Sequence, residues 1–207
     1  LPHKVTTLRN GVDLEKFRPL DRDALRHELG FDGPTLLSVG NLIELKGHHI
    51  AIEGLNLLPG FELVIAGGGP DEAALKAQVS SMGLDERVRF VGSLTHADLV
   101  RYYNAADCLT LCSSREGMAN VLLEAIACGT PVVATNICGT PEVIADDVAG
   151  VLMKDRNASE FAAAVNRLFV HLPYRKATRQ YAENFSWAAT TEGQLEIFRH
   201  ILGNSTK

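Results

Sequence analysis

The sequence predicts an α/β domain built around a parallel sheet. Short runs of aliphatic and β-branched residues alternate along the chain with longer stretches of helical periodicity. Glycine- or serine-containing turns follow most of those runs. The 207 residues, 46% hydrophobic and 22% charged, suffice for one compact domain whose core needs neither metal nor disulfide. This βα repeat is typical of parallel strands joined by crossover helices, so the predicted fold class is α/β, Rossmann-like, with a six-stranded sheet and helices on both faces.

The strands are predicted where apolar, β-branched residues form a short run between turn residues. In chain order they cover residues 35–39, 61–66, 88–91, 108–112, 132–135 and 151–153. Helices are predicted for residues 47–58, 71–82, 96–104, 118–128, 141–145, 158–171, 174–183 and 187–202. Thr140 and Pro141 are predicted to be an N-cap and a first helical residue, with Glu142 stabilising that helix start.

The turns that follow the strands should meet at one edge of the sheet. In an open parallel sheet the ligand cleft lies beyond the carboxyl ends of the strands. The turns that would share this edge are 40–41, 67–69, 92–93, 113–117 and 136–139. Glycine permits close backbone approach to a ligand, which favours ligand contacts at Gly67, Gly117 and Gly139, although glycine also makes tight turns for purely structural reasons.

Two glutamates flank a predicted helix start within segment 114–135. Glu116 lies in a polar loop after a strand, whereas Glu124 interrupts an apolar helical run and therefore needs a partner. The seven intervening residues would separate the carboxyl groups by roughly 10 Å. The free N–H groups of residues 117–121 and the helix dipole favour an anion between them. This arrangement suggests a diphosphate between two hydroxyl-binding carboxylates, with Glu116 toward a sugar and Glu124 toward a ribose. Alternatively, Glu116 offsets the helix dipole and Glu124 tilts to solvent.

Lys46 stands before a predicted helix, where the dipole disfavours a cation, so an anionic partner is expected. The alternative is a solvated lysine. His48 and His49 are adjacent and cannot both face one cleft from a helix, so both are interpreted as structural or solvated.

Several further segments, taken in order, carry a resemblance to a known family. They are residues 10–13 with 17–19, 39–41 with 46–47, 64–70, 88–92, 127–133 and 139–144. Together with Glu116 and Glu124, spaced as Glu-x7-Glu, they resemble the retaining glycosyltransferases of the GT-B fold, family 4 (glycosyl transferases group 1). The resemblance covers nearly the whole chain.

The resemblance implies one half of a GT-B fold, the C-terminal, sugar-donor-binding domain. Residues 1–207 would form a single nucleotide-sugar-binding domain, in which 1–20 enter from a missing N-terminal acceptor domain and 174–207 are closing helices. The expected reaction moves a hexose, with retention, from a UDP-, GDP- or ADP-sugar to a glycan or lipid-linked acceptor. The departing phosphate helps to take the acceptor proton. No metal or other cofactor is expected, and the isolated fragment should be inactive.

The same resemblance assigns the site residues. Glu116 and Lys46 would be catalytic. The nucleotide-sugar would contact Gly40, Asn41, Gly67, Ser93, Leu94, Gly117, Met118, Ala119, Asn120, Val121 and Glu124. The sequence departs from the family at three positions: Asn41 replaces an Arg, Ala119 replaces a Gly or Pro, and Cys138 stands where a second glycine is common. Arg115 could supply the missing cation, but pairing with Glu116 at the surface is the simpler interpretation.

Composition excludes several other classes. The net charge of −5, without a basic cluster, argues against nucleic acid as a partner. The four cysteines lack metal-site spacing and are interpreted as buried thiols of a cytosolic protein. No run approaches the roughly 20 apolar residues of a membrane span, so a cytoplasmic protein is expected, with peripheral association at the inner face of the membrane through the missing domain as a further expectation.

Three alternatives share parts of this pattern. A nicotinamide-dependent oxidoreductase is disfavoured because residues 67–72 read Gly-Gly-Gly-Pro-Asp-Glu, without the Gly-x-Gly-x-x-Gly turn. A nucleotide-sugar epimerase would need no acceptor. A catalytically silent nucleotide-sugar-binding module would keep the cleft without the chemistry.

Overall fold

The computed structural model describes residues 6, 8 and 10–204, and within them the predicted parallel sheet is confirmed. Its strands are β1 Thr35–Val39, β2 Glu62–Ala66, β3 Val88–Gly92, β4 Cys108–Leu111, β5 Val132–Thr135 and β6 Gly150–Met153. All neighbours pair in parallel, in the order β3-β2-β1-β4-β5-β6. β1, β4 and β5 are buried along their whole length, which explains why their residues are apolar apart from small hydroxyl side chains.

Helices cover both faces of the sheet, as predicted. They are α1 Arg22–Leu29, α2 His48–Leu55, α3 Glu72–Ser81, α4 His96–Ala105, α5 Asn120–Ala127, α6 Thr140–Val143, α7 Ala158–Val170, α8 Arg175–Ala182 and α9 Trp187–Asn204. One hydrophobic core lies under α4, α5 and α8, and a second lies under α2, α3 and α7. None of the helices in the described part of the chain is long and apolar enough to cross a membrane.

Helix α1 was not predicted. It is short and mostly polar, and its narrow apolar face consists of Leu25 and Leu29, one turn apart and only partly buried against the core. Its capping signals are nevertheless present in the sequence. Asp21 accepts a hydrogen bond from the backbone N–H of Ala24, and Gly30 ends the helix in the left-handed conformation, with φ 64°.

Two predicted helix starts need correction. α5 begins at Asn120 rather than at residue 118, because residues 117–119 form a loop in which the Gly117 carbonyl accepts from the Gly139 backbone N–H at 3.3 Å. α6 begins at Thr140, with Gly139 as its N-cap. Thr140 is therefore the first helical residue and not the cap, and its buried hydroxyl makes no hydrogen bond within the described residues.

The N-terminal segment is tied to the end of the domain. Val12 forms a parallel bridge with Ser186. The Arg179 guanidinium on α8 donates to the carbonyl oxygens of Phe17 at 2.7 Å and Leu14 at 3.2 Å. This anchoring fixes the segment beside α5. Residues 1–5, 7 and 9 of the predicted 1–20 segment, and 205–207 of the predicted closing helices, lie outside the described residues.

Candidate active site

The centre of the sheet supplies the crevice in which the predicted residues meet. β1 and β4 are neighbours, but the chain leaves them toward opposite sides of the sheet, and ligands of open α/β sheets bind at such a switch point. The two loops beyond these strands touch each other. The Ser114 N–H donates to the Leu45 carbonyl at 2.8 Å. A Cβ at Gly47, which has φ 71°, would lie 2.1 Å from the Cys112 carbonyl oxygen, so only glycine fits there.

Lys46 and Glu116 are brought together at this crevice. The Lys46 Nζ lies 2.6 Å from Oε1 of Glu116, and the side chains are 24% and 12% exposed. The buried Ser113 hydroxyl donates to the same carboxylate oxygen at 2.7 Å. The anionic partner expected for Lys46 is therefore Glu116 in this structure. Arg115 is exposed, and among the described ion pairs Glu116 is partnered by Lys46 rather than by Arg115.

Ser113 was missed by the sequence reasoning. It lies two residues beyond the end of β4, and its backbone carbonyl accepts a hydrogen bond from Thr135 Oγ1 at 2.7 Å. This bond from the neighbouring strand fixes the start of the Glu116 loop. A serine three residues before a site carboxylate was the available signal, but nothing in the sequence says that its hydroxyl turns toward Glu116.

Glu124 has the partner that its burial requires. The Tyr103 hydroxyl on α4 donates to Oε2 of Glu124 at 2.9 Å. Burial raises the pKa of Glu124, against the lowering effects of this hydrogen bond and of the nearby His96 and Lys16 charges. The carboxylate is half-buried and bonded, so the alternative of a glutamate tilted freely to solvent does not describe it. Tyr103 itself was not predicted.

The start of α5 lies between the two glutamates. Its N-cap, Ala119, has no side chain that can cap the helix, and the Asn120 side-chain oxygen instead accepts from the Asn10 amide at 3.2 Å. The first-turn N–H groups, with the helix dipole, therefore form an anion-attracting end. Met118 is half-buried, Ala119 is buried, and Gly117 is exposed with open space around it.

The remaining predicted contacts line one depression. It has a volume of about 210 Å³ and is bounded by Val39, Gly40, Asn41, Ala66, Gly67, Gly68, Ser93, Leu94 and Leu99. A smaller depression of about 130 Å³ lies beside Glu124 and Asn120, against the N-terminal segment. Larger depressions lie away from the predicted residues, along β6 and along α9.

Two of the three glycines predicted to approach a ligand have structural reasons of their own. A Cβ at Gly67, where φ is 152°, would lie 1.9 Å from the Gly40 carbonyl oxygen. A Cβ at Gly139 would lie 2.7 Å from the Gly117 carbonyl oxygen. Close packing of neighbouring turns explains glycine at both positions without a ligand. Gly117 has no such contact, so ligand approach remains its predicted role.

His48 is structural, as interpreted from the sequence. Its buried ring contacts Ser38 Oγ through Nδ1 at 2.9 Å and the Asn41 carbonyl through Nε2 at 3.2 Å. The carbonyl can only accept, so Nε2 carries the proton and Nδ1 accepts from Ser38. Burial lowers the pKa of His48. The neutral imidazole thus holds the turn that carries Asn41.

The cysteine prediction was wrong for Cys138. Cys108, Cys112 and Cys128 are buried, and burial raises the pKa of the last two thiols to about 12. Cys138 is exposed in the turn before α6, with φ 46°. This turn has the left-handed conformation that glycine adopts most easily, and it directs the side chain outward.

Comparison with known proteins identifies the family. The family model for glycosyl transferases group 1 matches residues 21–185. The chain is 33% identical over 220 residues to D-inositol 3-phosphate glycosyltransferase of Mycobacterium marinum, covering 99% of this chain and 47% of the relative. It is 34% identical to the protein of the same name from Saccharomonospora viridis, covering 97% of this chain and 51% of the relative. The chain thus spans about half the length of these curated relatives.

Solved structures with a similar fold also include group 1 glycosyl transferases. Sucrose-phosphate synthase from Thermosynechococcus elongatus has a TM-score of 0.85 at 28% identity, covering 95% of this chain and 52% of that one. The C-terminal domain of a glycosyl transferase group 1 family protein, LpcC, from Francisella tularensis has a TM-score of 0.70 at 25% identity, covering 87% of this chain and 97% of that one. Anabaena HepE in complex with UDP and glucose, at 23% identity and TM-score 0.85 over 94% of this chain and 57% of that one, supports the fold. These likenesses confirm the predicted Rossmann-like fold of GT-B glycosyltransferases. The family match spans most of the sequence and a relative above 30% identity covers nearly all of it, so the chain belongs to the glycosyl transferases group 1 family.

Proposed function

We infer that this chain is the sugar-donor-binding domain of a retaining hexosyltransferase that uses a nucleotide-sugar. The observation that carries the proposal is the contact of Lys46 with Glu116 at the switch point of the sheet, next to the side-chain-uncapped start of α5. A cation and a helix N-terminus beside each other favour a diphosphate. A carboxylate beside them can accept hydrogen bonds from sugar hydroxyls.

In the proposed complex the diphosphate takes over Lys46 from Glu116. The Lys46 ammonium and the N–H groups of Asn120 and Val121 then stabilise charge on the phosphate as it departs. A charge-assisted contact of this kind, sheltered from water, contributes roughly 1.5–3 kcal/mol. Glu116, released from the lysine and still held by Ser113, orients the sugar, and Glu124 binds the ribose.

Glu116 acts as an orienting group and not as a base. The bond between the anomeric carbon and the phosphate oxygen breaks while the acceptor oxygen attacks from the same face, so configuration is retained. The acceptor proton passes to the departing phosphate. In this scheme the protein positions the sugar and stabilises the charge on the departing phosphate. It need not supply a base, because the phosphate itself takes the acceptor proton. A metal-independent reaction remains part of the proposal.

The rest of the enzyme is also proposed. An N-terminal acceptor domain would join through residues 1–20 and contact the closing helices 174–207. On α9, Leu195 and Phe198 are 41% and 60% exposed, which leaves apolar surface for such a domain to cover. A cytoplasmic location, with membrane association through that domain and a glycan or lipid-linked acceptor, belongs to the same proposal.

The test is a calorimetric titration of this chain with UDP, GDP, ADP and their hexose conjugates. UDP is the first probe because fold neighbours have been solved with UDP and UDP-glucose. We expect saturable binding of one nucleotide series, weakened in Lys46→Met and unchanged in Lys76→Met, whose lysine pairs with Glu72 within α3. Absence of binding by every nucleotide would contradict the proposal.

Turnover in the full-length enzyme separates the remaining alternatives. Transfer of labelled hexose to an acceptor with retained configuration supports the proposal. Release of an altered nucleotide-sugar without acceptor identifies an epimerase. Nucleotide binding without either product identifies a silent binding module.

A further inference from the structure

We propose that Tyr103 is a positioning residue for nucleotide recognition, whose hydroxyl fixes the Glu124 carboxylate toward the ribose. The inference rests on the proposed function, because it assigns Glu124 to the ribose. It adds a residue from α4, an element outside the Glu-x7-Glu segment, to the binding apparatus.

The Tyr103 side chain is held firmly enough to serve as a reference point. It is fully buried, and its ring packs on Phe17 with ring centroids 6.2 Å apart. Its backbone carbonyl accepts a hydrogen bond from the Thr130 hydroxyl. Burial raises the pKa of Tyr103 well above its usual value of 10.0, so the phenol keeps the proton that it donates to Glu124.

One oxygen of the Glu124 carboxylate faces the core and the other is available to the neighbouring depression. Its Oε2 accepts from Tyr103 at 2.9 Å, and among the described residues no hydrogen-bond donor reaches Oε1. The side chain lines the small depression that also contains Asp13, Lys16 and Phe17. Because one oxygen is anchored in the core, the other is available to a hydroxyl arriving from that depression.

Several charged or titratable groups face Glu124. They are Tyr103 and His96 on α4, Lys16 and Asp13 on the N-terminal segment, and Cys128, the C-cap of α5. Burial raises the pKa of Glu124, and the bond from Tyr103 is the largest influence that lowers it. Without the hydroxyl, the pKa of Glu124 should rise further.

The direction of the pH effect follows. The ionised carboxylate accepts ribose hydroxyls, so nucleotide affinity is complete above the pKa of Glu124 and falls as the pH drops through it. In Tyr103→Phe this fall should begin at a higher pH. A purely structural tyrosine would lower stability without moving the affinity profile along the pH axis.

The experiment compares the chain with Tyr103→Phe by two readouts. The first is the ¹³C chemical shift of the Glu124 carboxyl during a pH titration, which needs no ligand. The second is the UDP Kd measured from pH 5 to 8. Tyr181→Phe is the matched control, because its hydroxyl also donates a hydrogen bond, to the Val143 carbonyl at 3.0 Å, but does not contact Glu124.

We expect the Glu124 titration to move to higher pH in Tyr103→Phe and not in Tyr181→Phe. The UDP Kd at neutral pH should weaken about tenfold, as for loss of a hydrogen bond to a charged group. In a Glu124→Gln background, which is uncharged at every pH, adding Tyr103→Phe should change the UDP Kd by less than about twofold. If Tyr103→Phe fails to fold, Glu124→Gln should leave only the acid-side loss of affinity that protonation of the UDP phosphate causes, since the second pKa of a phosphate is about 6.

The outcomes separate the two proposals. If UDP, GDP and ADP all fail to bind the unmodified chain, the proposed function fails and the role of Tyr103 falls with it. If nucleotide binds, but Tyr103→Phe matches the unmodified chain in Kd at every pH, the positioning role alone is overturned. An unchanged Glu124 titration would overturn it equally.

Discussion

The contact of Lys46 with Glu116 predicts opposite effects on UDP affinity when each of the two side chains is replaced. Glu116→Gln should leave UDP binding intact or make it tighter, whereas Lys46→Met should weaken it. The reason is that Glu116 contacts in this structure the same ammonium that the diphosphate would contact in the proposed complex. Binding must therefore break one ion pair to form another.

The magnitude follows from the exposure of the pair. With side chains 24% and 12% exposed, the ion pair lies between the surface and the dry interior, and a value of roughly 1 kcal/mol, at the upper end for exposed pairs, is appropriate. Removing the Glu116 charge should then tighten UDP binding by up to about fivefold. Lys46→Met loses roughly 1.5–3 kcal/mol of phosphate contact but no longer breaks the ion pair, so UDP should bind about 2- to 30-fold more weakly.

The assay is isothermal titration of each variant with UDP and with UDP-hexose. In Glu116→Gln the affinity for UDP-hexose should fall relative to that for UDP, because the carboxylate proposed to orient the sugar is gone. The control is Glu62→Gln, which breaks a 3.2 Å pair with Arg89 at the start of β2, at the opposite edge of the sheet, and should change neither Kd. Equal losses of UDP affinity in Glu116→Gln and Lys46→Met would refute the competition between carboxylate and diphosphate.

Three further predictions concern the scaffold. Burial lowers the pKa of His48 from 6.5, so below pH 6.5 the unfolded state binds more protons than the folded state. The free energy of unfolding, measured by urea titration, should therefore fall as the pH drops below 6.5. This fall should be less steep in His48→Asn. Gly47→Ala should lower the urea midpoint clearly more than Gly60→Ala. Both glycines have positive φ, but only at Gly47 would a Cβ lie against a carbonyl oxygen, 2.1 Å away. Equal losses would show that this contact is unimportant. A thiol reagent under native conditions should label Cys138 quickly and the three buried cysteines only on unfolding, and rapid labelling of several thiols by mass spectrometry would contradict their burial.

The strands were predictable because the sheet is buried on both faces. β1 and β5 are buried from end to end and mostly apolar, and their predicted bounds agree with the structure. α1 is mostly polar and its apolar face is only two leucines wide, although Asp21 and Gly30 marked its ends. Local chemistry at helix ends was thus informative where hydrophobic periodicity was not.

The sequence likewise predicts some features of the candidate site and not others. Lys46 and Glu116 could be placed near each other because both follow adjacent parallel strands, and strand ends share an edge. Their direct pairing, and the hydroxyls of Ser113 and Tyr103 that hold the two glutamates, depend on side-chain directions set by tertiary packing. The outward turn of Cys138 likewise depends on a left-handed backbone conformation that the neighbouring residues do not specify.

The most direct test of the account is to map nucleotide-sugar binding onto the chain by NMR. A ¹⁵N-labelled sample titrated with UDP-hexose should show its largest backbone amide shifts at Gly40, Asn41, Asn120 and Val121, around the crevice between β1 and β4. Saturable shifts confined instead to the depression along β6, or no shifts at millimolar ligand, would contradict the assignment of this crevice as the sugar-donor site.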